Sequence, residues 1–206
     1  MLFRSEDRRF FEHAGVDALG ILRAAISNLS AGQVHQGGST ITQQVVKNLV
    51  VGSDRTFSRK VHEAVLALRL EQWMSKREIL EIYLNLIYLG SGNHGVEAAA
   101  RDFLGVSAKD LDLAGAALLA GLIPAPSRYS PRTDPDLARA RRDRVLDAML
   151  ERNEITPEAH RAAKREPVAP PPRGGVNRGG HEGFLSEVRR QVRHLLGARL
   201  PFEAAL

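Results

Sequence analysis

The chain contains no cysteine. That absence excludes a disulfide framework and a thiolate metal site, and leaves the redox compartment open. It also lacks any run of about 18 uninterrupted apolar residues, the length a bilayer-crossing helix needs. The nearest candidate, Leu111 to Ile123, is too short and is interrupted by Asp112, so it reads as a buried core helix. No signal peptide is visible. The histidines at 13, 35, 62, 94, 160, 181 and 194 show no HExxH or similar spacing, so a His-ligated zinc site is not indicated. A hard cation such as Mg²⁺, held by a carboxylate and substrate phosphates, stays compatible with what remains.

What is present suits one globular core with a small satellite lobe: 206 residues, 43% hydrophobic and 26% charged. The net charge is +5, with a surplus of 1 in residues 1–130 (14 Lys+Arg, 13 Asp+Glu) and 4 in residues 131–206 (15 against 11). A nucleic-acid-binding body would concentrate that surplus, and this one does not. An anionic membrane surface and a weak solvated bias account for the tail equally well.

Helical periodicity dominates, and no strand or internal repeat is evident. Asp17 predicts an N-cap for a helix to about Ser30, with Leu19, Leu22, Ile26 and Leu29 as one stripe that packs on a core or rests on a membrane. Thr40 and Gln43 fit a capping box opening a helix over 39–50. Ser58 is expected to cap a helix over 59–73, in which Val61, Val65 and Leu68 mark one side and Leu66 and Leu70 the other. That pattern predicts burial nearly all round. Ser75 and Glu78 form a second capping box for 76–89, and further helices are expected over 96–104 and 108–122. Asp134-Pro135 and Thr156-Pro157 each restart a helix with a cap and an N1 proline. Residues 166–183 are a Pro/Gly-rich linker, followed by one short amphipathic helix near 184–196.

Two carboxylates stand out. Glu6 and Asp7 precede Phe10, Phe11, His13 and Gly15, a setting that fixes and partly desolvates them. Glu63 lies on an apolar-rich helix with Arg59 one turn before it and Lys60 beside it. A structural ion pair and a carboxylate held among cations that also bind an anionic substrate are both open readings. Between them, Gly37-Gly38-Ser39-Thr40 leads into a helix start. There, backbone N–H groups are expected to face an anion, with Lys47 as counter-charge. The G-K-[ST] ending of a P-loop is absent.

In order and spacing, EDRRFFEHAGVD, GGSTITQQVVKN, RKVHEAVLALRLE, KREILEIYLNLIYLG and GVEAAARDFLG resemble the five signature blocks of the peptidoglycan glycosyltransferases. These are the polymerase domains of class A penicillin-binding proteins and of monofunctional transglycosylases. The resemblance covers residues 3 to about 165. It implies an all-α, lysozyme-like domain with a small membrane-facing lobe that includes the 17–35 segment. It implies lipid II as substrate, polymerised at the outer face of the cytoplasmic membrane into β-1,4 glycan with release of undecaprenyl diphosphate. Other cell-wall synthesis proteins, and no nucleic acid, are the implied partners.

By the same resemblance Glu6 is the general base, and Glu63 assists departure of the diphosphate, directly or through a divalent ion such as Mg²⁺. Gln43, Gln44, Lys47, Arg59 and Lys60 are implied to bind the donor, with Asp7 and Thr42 supporting them. Inverting glycosidases suggest a separation of roughly 6.5–9.5 Å or somewhat more between the two carboxylates. Residues 1–165 are thus expected to be the glycosyltransferase domain, truncated at its N-terminus, and 184–206 the start of a linker. SxxK and KTG are absent from the chain, so penicillin-sensitive transpeptidase chemistry is not carried by it. The competing functions are a lysozyme-like glycan-cleaving enzyme and an inactive lipid II-binding fragment.

Overall fold

In a computed structural model, the described residues are 7, 9–20, 38–49, 57–172, 186, 187, 190 and 192. Seven α-helices lie among them: α1 (Ile41–Leu49), α2 (Phe57–Trp73), α3 (Lys76–Leu86), α4 (Val96–Leu104), α5 (Leu113–Leu122), α6 (Pro135–Glu151) and α7 (Pro157–Arg165). The described residues contain no strand; a single isolated bridge pairs Tyr88 with His94. The all-α expectation holds for them. The expected helix over 17–30 and the membrane-facing lobe over 17–35 lie outside the described residues beyond Gly20. So do residues 173–183 of the expected linker.

The described residues divide into two compact units, those of Asp7–Tyr83 and Gly180–Leu206 in one and those of Leu84–Gly179 in the other. In the first, α1 buries Ile41, Val45, Val46 and Leu49, a helical i, i+4, i+5, i+8 stripe, and it packs on α2. The buried face of α2 is Glu63, Ala67 and Leu70, spaced i, i+4, i+7. Its other apolar stripe is open, with Val61, Val65 and Leu68 between 43% and 47% exposed. This corrects the expectation of a helix buried all round. The close packing falls on the Ala67 side, where Gly15 (φ +66°) leaves so little room that a Cβ would stand 2.7 Å from Leu68 N. Only a glycine meets both demands, the left-handed backbone and the close approach.

In the second unit α5 (LAGAALLAGL) is buried along almost its whole length. It packs against α6, with Ala114 and Ala117 on Leu146, Met149 and, from α7, Ala163. The helix expected over 108–122 is two elements. Ala108–Asp110 is a short 3₁₀ turn, and α5 begins at Leu113 behind Asp112, whose Oδ1 accepts from Gly115 N at 2.7 Å. Ser107 does not cap. Its hydroxyl donates to Glu97, which also accepts from Ala108 N at 2.7 Å.

Two more boundaries move. α2 starts at Phe57, so Ser58 is inside it rather than at its cap. α3 stops at Leu86, because Leu89 N turns back to Asn93 O and Gly95 N to Ile87 O. The caps at Asp134 and Thr156 are as expected, accepting from Leu137 N and Ala159 N.

Candidate active site

The candidate residues that fall among the described ones all lie in the Asp7–Tyr83 unit, and most of them, Lys47 apart, stand near the first turns of α1 and α2. Thr40 and Gln43 form the expected capping box: Thr40 N donates to Gln43 Oε1 at 2.9 Å, and Gln43 N donates to Thr40 Oγ1 at 3.1 Å. The Thr40 hydroxyl in turn donates to Gly15 O at 2.6 Å, stitching the helix start to the first sequence block. The next N–H, that of Ile41, donates to Asp7 Oδ2 at 3.2 Å.

These bonds narrow one expectation. Three of the N–H groups at the opening of α1, those of Thr40, Ile41 and Gln43, are taken within the chain, by Gln43, the Asp7 carboxylate and Thr40. Asp7 is the anion at this helix N-terminus. It is itself buried, and His13 Nε2 lies 3.0 and 2.9 Å from its two oxygens. A carboxylate only accepts, so Nε2 carries the proton. His13 Nδ1 is buried with no hydrogen-bond partner among the described residues.

Beside this pair, Arg9 donates from two nitrogens to Asp17, which also caps its helix by accepting from Gly20 N at 2.8 Å. Burial pushes the Asp17 carboxyl up. The Gly20 N–H and the Arg9 guanidinium outweigh it and hold the group below the usual carboxylate range. Asp7, His13 and Asp17 come close enough together to resemble a cation site. Their oxygens are instead engaged by Ile41 N, Gly20 N, Arg9 and the histidine, and the adjacent guanidinium opposes a second cation.

The anion-binding capacity comes from α2. Glu63 is 1% exposed, and each of its oxygens is matched to a cation: Arg59 Nη1 one turn earlier, and Lys60 Nζ at 2.9 Å. Lys60 also donates to Ser39 Oγ at 2.8 Å, so the side chain spans from α2 to the segment opening α1. It remains 45% exposed, so its ammonium has room for a further oxygen ligand. Each Glu63 oxygen thus already accepts from one cation of its own helix.

Of the predicted residues, Asp7, Thr42, Gln43, Arg59, Lys60 and Glu63 lie on this α1–α2 assembly. Asp7, Thr42 and Gln43 are buried and spend their polar atoms inside the protein, Thr42 donating to Glu71 at 2.5 Å. Gln44 is half-buried, and Lys47 is exposed in the last turn of α1. Glu6 lies outside the described residues, and with it the separation expected between the two glutamates. Three contributors were not among the predicted site residues: His13, Ser39 and the Arg9–Asp17 pair. A histidine six residues beyond a buried aspartate was the available signal for the first.

A cavity of about 190 Å³ in the Leu84–Gly179 unit is lined by residues including Leu104, Val106, Leu111, Leu118, Arg142 and Glu166, and none of the candidate residues lines it. Burial, then the charge of Asp112 and a hydrogen bond with it, raises the Glu166 carboxyl above its usual range.

In this helical protein a sealed glutamate gathers an arginine and a lysine of its own helix, and the lysine reaches the start of a neighbouring one. The chain belongs to the transglycosylase family, whose model, described as "Transglycosylase", matches residues 1–150. It is 50% identical over 164 residues to penicillin-binding protein 1A of Aquifex aeolicus, covering 80% of this chain and 23% of that protein. It is 42% identical over 200 residues to penicillin-binding protein 1B of Haemophilus influenzae, covering 95% and 26%. A crystal structure of penicillin-binding protein 1A from Haemophilus influenzae aligns with a TM-score of 0.47 and 30% identity, over 75% of this chain and 20% of that one. The chain thus spans about a quarter of the length of the curated relatives it matches. Among the described residues, no helix is long and apolar enough to cross a membrane.

Proposed function

We propose that the chain is a peptidoglycan glycosyltransferase domain, which polymerises lipid II into β-1,4 glycan and releases undecaprenyl diphosphate. The observation that carries the reading is the Glu63 cluster: a sealed carboxylate fixing Arg59 and Lys60, with Lys60 bonded to Ser39 and still partly open to solvent. An α-linked sugar diphosphate giving a β-linked product requires one inverting displacement. Such a step needs a base for the attacking hydroxyl and positive charge at the departing diphosphate.

In this scheme Glu6 takes the proton of the acceptor hydroxyl while that oxygen forms the bond to the anomeric carbon. The anomeric carbon–oxygen bond breaks with both electrons going to the diphosphate. Arg59 and Lys60, with Lys47, meet the charge that develops there. Glu63 keeps the two α2 cations in place, and Gln44 contributes to the donor pocket. Gln43, Asp7 and Thr42 hold the α1 start that this pocket is built on. No step of this scheme is routed through a metal. The setting is the outer face of the cytoplasmic membrane, with the lipid surface and other cell-wall synthesis proteins as partners.

The test is incubation of the chain with lipid II, followed by separation of the glycan products. Wild type yields polymer. Glu63→Gln lowers the rate by about 10²–10³-fold, the size of effect seen when one preorganised electrostatic group is lost. Polymer formation that survives both Glu6→Gln and Glu63→Gln refutes the mechanism, and soluble fragments released from cell-wall sacculi would instead favour glycan cleavage.

A further inference from the structure

Two charges in the Asp7–Tyr83 unit sit where helix electrostatics disfavours them. Glu71 is in the last turn of α2, and Lys76 is the first residue of α3. An acid at a helix C-terminus and a base at an N-terminus each oppose the helix dipole. They face each other across the Met74–Ser75 turn, with Lys76 Nζ 2.7 Å from Glu71 Oε1 and their side chains 20% and 7% exposed. The α3 capping box sets the start of the helix from which Lys76 projects. Ser75 N and Oγ each donate to Glu78 Oε2 at 2.7 Å.

The pair reaches further than its own turn. Glu71 Oε1 also accepts from Thr42 Oγ1 in the first turn of α1. Lys76 Nζ lies 4.5 Å from the ring centroid of Phe10, a residue fully buried in the first sequence block. One ammonium therefore touches the block that carries Asp7 and, through a single carboxylate, the helix that carries Gln43, Gln44 and Lys47. Neither Lys76 nor Glu71 belongs to the Glu63 cluster.

From this geometry we infer that Lys76, acting through Glu71, Thr42 and the Phe10 ring, is a positioning residue that sets the first sequence block against α1. It touches no substrate. The kinetic side of this inference rests on the polymerase reading. The structural side does not.

The experiment compares Lys76→Met, Lys76→Arg and Glu71→Gln in the full 206-residue chain. With lipid II, Lys76→Met lowers kcat about 10–100-fold, as expected of a misplacement of about 1 Å, while KM stays within about threefold. Lys76→Arg retains both the ion pair and the ring contact and recovers kcat to within about threefold of wild type. Glu71→Gln, which keeps an acceptor for Thr42, falls between them.

Hydrogen exchange supplies a readout independent of turnover. Segments 9–13 and 40–44 exchange faster in Lys76→Met, and at the wild-type rate in Lys76→Arg. Wild-type kcat in Lys76→Met overturns the inference, and so does an arginine variant no better than methionine. If wild type itself makes no polymer, the polymerase reading fails and exchange alone decides. Unchanged protection of both segments then overturns the coupling.

Discussion

Replacing Asp7 by asparagine separates its charge from its shape, and the structure says what each is worth. In the wild type one carboxylate serves two donors, Ile41 N–H and His13 Nε2–H. The asparagine amide keeps one oxygen, which at the Oδ2 position still serves Ile41 and His13, but it places an NH₂ 3.0 Å from the same Nε2–H, donor against donor. The imidazole escapes that contact by moving its proton to Nδ1, which is buried with no partner among the described residues. A sealed, unpaired N–H costs about 1–3 kcal/mol, and losing the negative charge at the α1 start adds about 0.3–1 kcal/mol. Asp7→Asn should therefore destabilise its unit by about 2–3 kcal/mol on that scale.

Asp7→Ala abandons both donors and should cost about 4–5 kcal/mol on the same scale. Trp73 is the chain's sole tryptophan and lies in the same unit as Asp7, so its fluorescence in urea reports on that unit. With a slope of about 1–3 kcal/mol per molar urea, the asparagine variant should lose about 1 M in midpoint. His13→Ala combined with Asp7→Ala should show a coupling of about 1 kcal/mol or more. An asparagine variant with the wild-type midpoint, or one as damaged as alanine, would refute the assignment of the proton to Nε2 and of both donors to Asp7.

Two further substitutions probe the same unit. Gly15→Ala forces a left-handed alanine, about 1–2 kcal/mol by itself, and drives its Cβ into the Ala67–Leu68 backbone. A loss of about 3 kcal/mol or more in the Trp73 urea assay is expected, and a loss below about 1 kcal/mol would show that the close approach is not maintained. Asp17 has its carboxyl held below the usual range, so its stabilisation is present above the ordinary carboxyl pKa and lost as pH falls through the lower folded value. Asn caps helices about as well as Asp, so Asp17→Asn should differ from wild type above the ordinary carboxyl range and converge with it only as pH falls through the lowered folded value in urea titrations. A gap that persists at low pH would mean that Arg9 contributes nothing through charge.

What the sequence reveals of this protein is what is local. The capping boxes at Thr40–Gln43 and Ser75–Glu78, and the Asp-Pro and Thr-Pro starts of α6 and α7, involve partners three residues apart or fewer. All four appear in the structure where the pattern predicts. The Glu63 pairing with Arg59 and Lys60 is legible for the same reason, since three- and four-residue spacings are neighbours on any helix. The α2 faces are also legible as faces. Which of them is covered is not, because that depends on Gly15, about fifty residues away along the chain, closing over Ala67.

The largest misreading, at the start of α1, follows from the same limit. A glycine-led segment entering a helix has the local signature of an anion site, and the signature is sound to this extent: the Ile41 N–H does receive an anion. The anion is Asp7, 34 residues earlier, and no pattern within the segment distinguishes a carboxylate of the chain from a phosphate of a ligand. The consequence for function is specific. With the Thr40, Ile41 and Gln43 N–H groups taken internally, the proposed recognition of a diphosphate rests mainly on the side-chain cations Arg59, Lys60 and Lys47, whose strength depends on how firmly each is held. Arg59 and Lys60 are held by Glu63, and Lys60 also by Ser39. A carboxylate sealed between two cations therefore contributes without touching substrate, by stopping those cations from relaxing towards water. In the proposed reaction, removing Glu63 should leave the positive charge of Arg59 and Lys60 but take away its geometry, so the defect should appear in kcat more than in affinity for the diphosphate.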